Sequence, residues 1–245
     1  MKRSVWLRTA LSGACTIALL GCSAEVPPLT SDTAAGGDGG ALQDGAPEAA
    51  PGCIAVSGVD HTTCYPVADV GTTARSGDVP GQRMQNLAFT GYPTEMGQPV
   101  VTKGGTTTVH LSDFFDPTTK KFALVVLAAV AGWSGASNTL GDDLVSRAAA
   151  YGPLKAVFVQ VLQQGSNKKV GAKTKDLDLW VADHSMNQTA VLDPATLLKV
   201  DAVPALVILD ARSMEILYSA TGAPASVSAL LDEYLNLVGT IPVKR

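Results

Sequence analysis

Ten consecutive residues, Phe122–Ala131 (FALVVLAAVA), carry no charged or polar side chain. Such a run is typical of a central β-strand that is covered on both faces. Gly132 allows the strand to end in a turn, and Ser134 or Ser137 can cap a helix that follows. The segment Trp133–Ser137 is therefore predicted to lie on a strand-to-helix turn, where a loop-borne functional site would be expected.

Shorter apolar segments alternate with helical patterns along the rest of the chain. The strand candidates are Leu87–Thr90, Thr107–Leu111, Phe122–Ala131, Ala156–Leu162, Thr189–Leu192, Ala205–Asp210 and Glu215–Thr221, and the helix candidates are Ala136–Tyr151, Lys175–His184 and Ala225–Val238. This alternation indicates an α/β fold with helices on both sides of a sheet. Residues 85–245 suffice for one sizeable core and are predicted to form a single domain.

The first residues have the pattern of an export signal. Lys2, Arg3 and Arg8 form a basic segment, and an apolar stretch that is too short to span a bilayer follows it. The closing tetrapeptide, Leu19–Cys22, resembles a bacterial lipobox, which implies cleavage after residue 21 and a lipid on Cys22. The alternative is an ordinary cleaved signal in which this cysteine occurs by chance.

Residues 22–52 are predicted to be an unfolded tether between the lipid and the domain. This segment is rich in Ala, Gly and Pro and contains acidic but no basic residues, so it cannot bury enough apolar surface to fold. The full chain has a formal charge of −4, and loss of the basic signal makes it more negative. We therefore expect no nucleic-acid partner, and membrane attachment through the lipid alone. Ser23 in place of Asp favours the outer membrane, by resemblance to lipoprotein sorting in proteobacteria.

Two cysteines, Cys53 and Cys64, remain in the exported part of the chain. In an oxidising compartment their most economical use is a disulfide, which would contribute on the order of 3 kcal/mol by the chain-entropy model. Residues 53–84 are then an irregular, disulfide-stapled cap. A metal site that adds His61 is an alternative, but it lacks a fourth ligand, and no metal or other cofactor is expected.

Several segments together resemble the thioredoxin-like superfamily, in particular its exported redoxin or TlpA-like branch. The matching segments are Val109–Phe114, the turn at Trp133, Asp176–Val181, Val191–Asp193 and Val203–Asp210. The resemblance implies a thioredoxin-like fold, a central mixed sheet flanked by helices. It also implies that Pro204 is a cis proline facing the turn at Trp133.

The motif itself departs from the family pattern. Where the family has Trp-Cys-x-x-Cys, this chain has Trp133, Ser134 and Ser137, and a serine hydroxyl supplies neither the low-pKa thiolate nor the resolving thiol of disulfide exchange. No catalytic residue is therefore expected at these positions. We predict a redox-inactive envelope lipoprotein that binds a protein or peptide at the surface of Trp133 and Pro204.

Two enzyme hypotheses remain beside this one. Cys53 and Cys64 could be a thiol–disulfide pair if the N-terminal segment folded over Pro204. Ser134 could be a hydrolase nucleophile, because Gly132–Ala136 is close to a Gly-x-Ser-x-Gly elbow, with His184 as the base.

The acid of that hydrolase would be Asp176, Asp178 or Asp183. Nearby, Trp180 is expected to be a core residue, and a lysine cluster between residues 168 and 175 is expected to be a solvated loop.

Overall fold

The computed structural model describes residues 53–55, 64–66 and 81–240. Its strands are β1 (Cys53–Ala55), β2 (Cys64–Pro66), β3 (Ala88–Tyr92), β4 (Thr107–His110), β5 (Leu124–Ala131), β6 (Ala156–Gln164), β7 (Thr189–Leu192), β8 (Ala205–Asp210) and β9 (Glu215–Thr221), and its helices are α1 (Gly135–Tyr151), α2 (Thr174–Asp183) and α3 (Val227–Thr240). A 3₁₀ turn, Leu111–Phe114, follows β4. The predicted signal, the lipid site Cys22 and the tether lie outside the described residues.

Seven strands form one sheet in the order β4-β3-β7-β6-β5-β8-β9. The pairs β5–β6 and β6–β7 are parallel, and the others are antiparallel. Every residue of β5 is buried, as its apolar run predicts. Helix α1 connects the parallel strands β5 and β6, strands β8 and β9 follow antiparallel on the other side of β5, and α3 ends the described chain. This arrangement confirms the predicted thioredoxin-like fold, a mixed sheet flanked by helices.

The two faces of this sheet are covered differently. Alternate β5 residues such as Val126 and Ala128 share a core with Leu144 of α1, Trp180 of α2 and Leu231 of α3. The opposite face packs against extended and 3₁₀ segments, and among the described residues no α-helix contributes to that second core. The expectation of helices on both sides was therefore wrong, because N-terminal segments cover the second face.

The cap contains more regular structure than the sequence predicted. Strands β1 and β2 pair antiparallel, with Cys53 opposite Pro66 and Ala55 opposite Cys64. Tyr65 anchors β2, because it is fully buried and its hydroxyl donates a hydrogen bond to the Met84 carbonyl at 2.8 Å. This part of the predicted irregular cap is thus a small two-stranded sheet.

Cys64 is disulfide-bonded. The side chain of Cys53 lies outside the described part of the structure, so the pairing of these two cysteines stays a prediction. Within the described residues, no helix has both the length and the apolar character that a bilayer crossing requires.

Candidate functional site

The predicted strand-to-helix turn is present at the end of β5. Ser134 is the N-cap of α1, and its Oγ accepts a hydrogen bond from the backbone N–H of Ser137 at 3.3 Å. The Ser134 N–H donates to the Ala131 carbonyl at 3.0 Å, which closes the turn. The Ser134 side chain, which the resemblance aligns with the first cysteine of the motif, is therefore a helix cap.

Ser137, which the resemblance aligns with the second cysteine of the motif, is fully buried. Its Oγ has no hydrogen-bond partner in the structure. A buried hydroxyl without a partner costs free energy, and neither this oxygen nor that of Ser134 supplies a thiol.

Trp133 projects from the turn and is 43% exposed. Its backbone N–H donates to the Gly165 carbonyl at 3.0 Å, and its indole Nε1–H donates to Gln164 Oε1 at 2.8 Å. Gln164 in turn donates from Nε2 to the Lys168 carbonyl at 2.8 Å. The indole is thus fixed at its polar edge while much of its surface stays in water.

Pro204 lies at the same end of the sheet as Trp133. The Val203–Pro204 peptide bond is cis, as the resemblance implied. Pro204 immediately precedes β8, and the antiparallel register of β5 and β8 places Ala129 opposite Ala205. The structure therefore places Trp133, Ser134, Ser137 and Pro204 at the same end of the sheet.

Two further exposed apolar residues lie on loops at this edge. Val170 is 46% exposed and Leu197 is 44% exposed. Their loops are in close contact, because a Cβ on Gly171 would lie only 2.7 Å from Pro194 Cβ. We call Trp133, Val170 and Leu197 the apolar site surface.

Sequence reasoning missed Gln164, Val170 and Leu197. The available signal for Gln164 was its position as the last, polar residue of the strand β6. The positions of the other two depend on how the loops after β6 and β7 pack on each other. That packing is a tertiary contact with no local pattern.

One buried carboxylate, Asp193, follows β7 at this same edge. It accepts hydrogen bonds from the backbone N–H groups of Leu197 at 2.7 Å and Leu198 at 2.9 Å, and from Gln163 Nε2 at 3.1 Å. Burial raises the pKa of Asp193 above its ordinary value although these donors oppose the shift. Its oxygens therefore hold in place the loop that carries Leu197.

The hydrolase hypothesis required a base beside Ser134, and His184 is not placed there. Its Nδ1 lies 2.6 Å from Asp142 Oδ1, and its ring contacts that of Trp180 at a centroid distance of 4.0 Å. Asp142 is eight residues beyond Ser134 along α1, which corresponds to about 12 Å. The structure therefore does not bring the proposed base, His184, to Ser134, whose hydroxyl caps the helix.

The acids considered for that triad have other roles. Asp176 accepts the backbone N–H of Lys173 at 2.8 Å, at the start of α2. Asp178 accepts the Tyr92 hydroxyl at 2.5 Å, and burial, together with this carboxylate, raises the pKa of Tyr92 to about 12. Asp183 is exposed at the end of α2.

The redox hypothesis required Cys64 to lie over Pro204, and the structure places it elsewhere. Tyr65, its neighbour, bonds to Met84, whose N–H donates to the Met214 carbonyl in the β8–β9 turn. That turn is separated from Pro204 by the length of β8, which is roughly 20 Å for a strand of this size. Cys64 therefore lies at the opposite end of the sheet from Pro204.

No protein-family model matches this chain, and no curated protein matches it. Among solved structures, it is similar to a putative thiol:disulfide interchange protein DsbE from Chlorobium tepidum, with 21% identity over 65% of this chain and 97% of that one, at a TM-score of 0.49. It is also similar to a secreted disulfide oxidoreductase from Mycobacterium tuberculosis, with 18% identity over 62% of this chain and 96% of that one, at a TM-score of 0.41. A third similar structure is a 2-Cys peroxiredoxin from Plasmodium vivax, with 12% identity over 63% of this chain and 79% of that one, at a TM-score of 0.47.

Proposed function

We propose that this domain is a redox-inactive binding module that takes an extended polypeptide segment at its apolar site surface, beside Pro204. The main observation behind the proposal is the contrast, within the turn, between the two serine hydroxyls and the indole of Trp133. The hydroxyl of Ser134 caps a helix and that of Ser137 is buried, whereas the neighbouring indole of Trp133 is held in place and left exposed. Neither serine supplies a thiol, and the held, exposed indole supports a role in recognition.

The exposed residues fit this role. Trp is among the residues that contribute most binding free energy at protein interfaces, since it offers a large apolar area with little rotamer entropy to lose. Here the Gln164 hydrogen bond already fixes the indole, which reduces the entropy cost of binding further. With a lipid on Cys22, the module would act at the surface of a cell-envelope membrane, with the outer membrane favoured.

Binding is tested with a library of short, extended peptides presented to the immobilised full-length chain. We expect enrichment of specific peptides by the native chain and its loss in Trp133→Ala. The matched control is Leu179→Ala, which removes a side chain that is 60% exposed on α2, and which should bind as the native chain does. No enrichment, or equal loss in both variants, would overturn the proposal.

Absence of redox activity is tested by the reduction of insulin disulfides. The native chain should be inactive, whereas Ser134→Cys with Ser137→Cys should gain activity, because the turn and the cis proline are already in place. Native activity that disappears when Cys53 and Cys64 are changed to Ser would show that these cysteines are the catalyst. In that case a thiol–disulfide oxidoreductase would replace the binding module.

A further inference from the structure

A concentrated positive charge lies next to the apolar site surface. Residues 168–175 read KKVGAKTK, so four lysines occur within eight residues of a chain whose formal charge is −4. Lys168, Lys169, Lys173 and Lys175 are all exposed. Among the described residues, none of these ammonium groups forms an ion pair.

The acidic residue closest in sequence, Asp176, forms no ion pair with these lysines in the described part of the structure. Asp176 is turned inward, since its Oδ2 accepts the backbone N–H of Lys173 at 2.8 Å. Its carboxylate also packs against Gly165, where a Cβ would lie 2.4 Å from Asp176 Cγ. The carboxylate therefore caps the start of α2, and the four ammonium groups are exposed to solvent.

The cluster is connected to Trp133 by direct hydrogen bonds. The indole donates to Gln164 Oε1, and Gln164 Nε2 donates to the Lys168 carbonyl, each at 2.8 Å. The loop then returns to the sheet through a bridge between Gln164 and Gly171, with the exposed Val170 immediately before it. The loop that carries the lysines and Val170 is thus hydrogen-bonded to Gln164, the residue that holds the Trp133 indole.

We propose that the segment bound at this surface is acidic, with carboxylates opposite Lys168, Lys169 and Lys173 and an apolar side chain on Trp133 and Val170. This inference rests on the proposed function and specifies the partner's chemistry. Opposite charge near a fixed apolar contact favours encounter and selects the partner. A large polyanion, such as a nucleic acid or an anionic bilayer, would also meet the acidic remainder of the chain, which disfavours it.

The test compares three labelled peptides that share one central Leu and differ only in their flanking residues, which are Glu, Gln or Lys. Affinity for the full-length chain is measured by fluorescence anisotropy at low and high salt. We expect the Glu peptide to bind about tenfold more tightly than the Gln peptide, the effect of two or three surface charge pairs. This preference should shrink at high salt, because exposed charges are screened.

Two charge-matched variants locate the effect. Lys168→Gln, Lys169→Gln and Lys173→Gln together should abolish the preference for Glu. The control, Lys103→Gln with Lys120→Gln and Lys121→Gln, removes the same charge from exposed lysines outside the cluster and should preserve it.

The outcomes separate the two proposals. Equal binding of the Glu and Gln peptides, with loss in Trp133→Ala, would overturn the acidic-partner inference and leave the binding module standing. Binding of none of the three peptides would overturn the acidic-partner inference, and the binding module also falls if the peptide library yields no enrichment. Vesicles containing phosphatidylglycerol test whether the lysine cluster binds an anionic lipid surface instead. If the chain binds them through the three lysines and shows no preference for the Glu peptide, the cluster contacts lipid and the inference is wrong.

Discussion

Two tryptophans of this domain make the same hydrogen bond in opposite surroundings. Trp133 donates its indole N–H to Gln164 and Trp180 donates to Gln160, both at 2.8 Å and both to strand β6. Trp133 is 43% exposed, whereas Trp180 is 3% exposed and belongs to the core between the sheet and the helices. The two hydrogen bonds thus have the same donor and acceptor types and the same length, whereas the burial of the two indoles differs.

Because the two indoles differ in burial, loss of the hydrogen bond to glutamine has a different consequence in each region. Around Trp180 the hydrogen bond satisfies a donor that has no access to water, so its loss leaves a buried N–H unpaired. Around Trp133 water can replace the acceptor, so the bond mainly fixes the orientation of an exposed ring. The first region stabilises the fold, and the second presents a surface.

The largest expected difference between the regions is in the free energy of unfolding on removal of each indole. Trp180→Ala should destabilise the domain by about 3–5 kcal/mol, because it opens a cavity in the core. Trp133→Ala should cost less than about 1 kcal/mol, as for most exposed positions. Urea unfolding followed by circular dichroism measures both, and Trp180→Phe serves where the alanine variant does not fold. Equal costs would contradict the division into two regions.

Replacing the glutamine that accepts each hydrogen bond should also destabilise the buried region more than the exposed one, but by less than replacing the tryptophan. Gln160 is fully buried, and its Nε2 also donates to the Gly141 carbonyl at 3.1 Å. Gln160→Ala should therefore cost about 2–3 kcal/mol, from an unpaired indole N–H and a small cavity. Gln164→Ala should change stability by less than about 0.5 kcal/mol yet weaken peptide binding, because the indole is no longer fixed. A stability loss at Gln164 as large as that at Gln160 would show that the exposed bond is structural.

Most strands were predictable because their signal is local. The continuous apolar runs gave β8 its observed bounds, Ala205–Asp210, and placed β5 and β6 within two residues at each end. Capping residues located α1 to within one residue. The cis proline and the thioredoxin-like topology followed from a resemblance that covers the order of elements.

What could not be predicted depends on contacts between distant segments. Helical periodicity shows that α2 has an apolar face but not which side of the sheet it covers, and the expectation of helices on both sides failed for that reason. The strand pair at Cys64 was missed because three-residue strands carry almost no periodic signal. At the site, the orientation of the Trp133 indole depends on its hydrogen bond to Gln164, a residue from another element with no motif of its own.

Glycine substitutions test the packing around the buried tryptophan. A Cβ on Gly141 would lie 2.9 Å from Trp180 Cζ2 and 3.2 Å from Gln160 Oε1. Gly141→Ala should therefore destabilise by about 1–2 kcal/mol, since overpacking outweighs the gain in helix propensity. Gly135 in the first turn of the same helix has no atom within 4 Å of such a Cβ, and Gly135→Ala should be neutral or stabilising by up to about 1 kcal/mol. Thermal unfolding measures the change in stability of both variants. If Gly141→Ala were stabilised, the region around Trp180 would be loosely packed.

The smallest expected effects concern the two serines beside Trp133, and their signs differ. Ser134→Ala removes the side chain that accepts the Ser137 N–H at the start of α1, so it should cost about 1 kcal/mol. Ser137→Ala removes a buried hydroxyl without a partner, so it should leave stability unchanged or raise it by up to about 1 kcal/mol. Parallel urea titrations of the two variants resolve this difference, because neither substitution adds volume. A loss at Ser137 equal to that at Ser134 would mean that the buried hydroxyl has a partner in solution, such as a trapped water, and that the turn is less apolar than the structure shows.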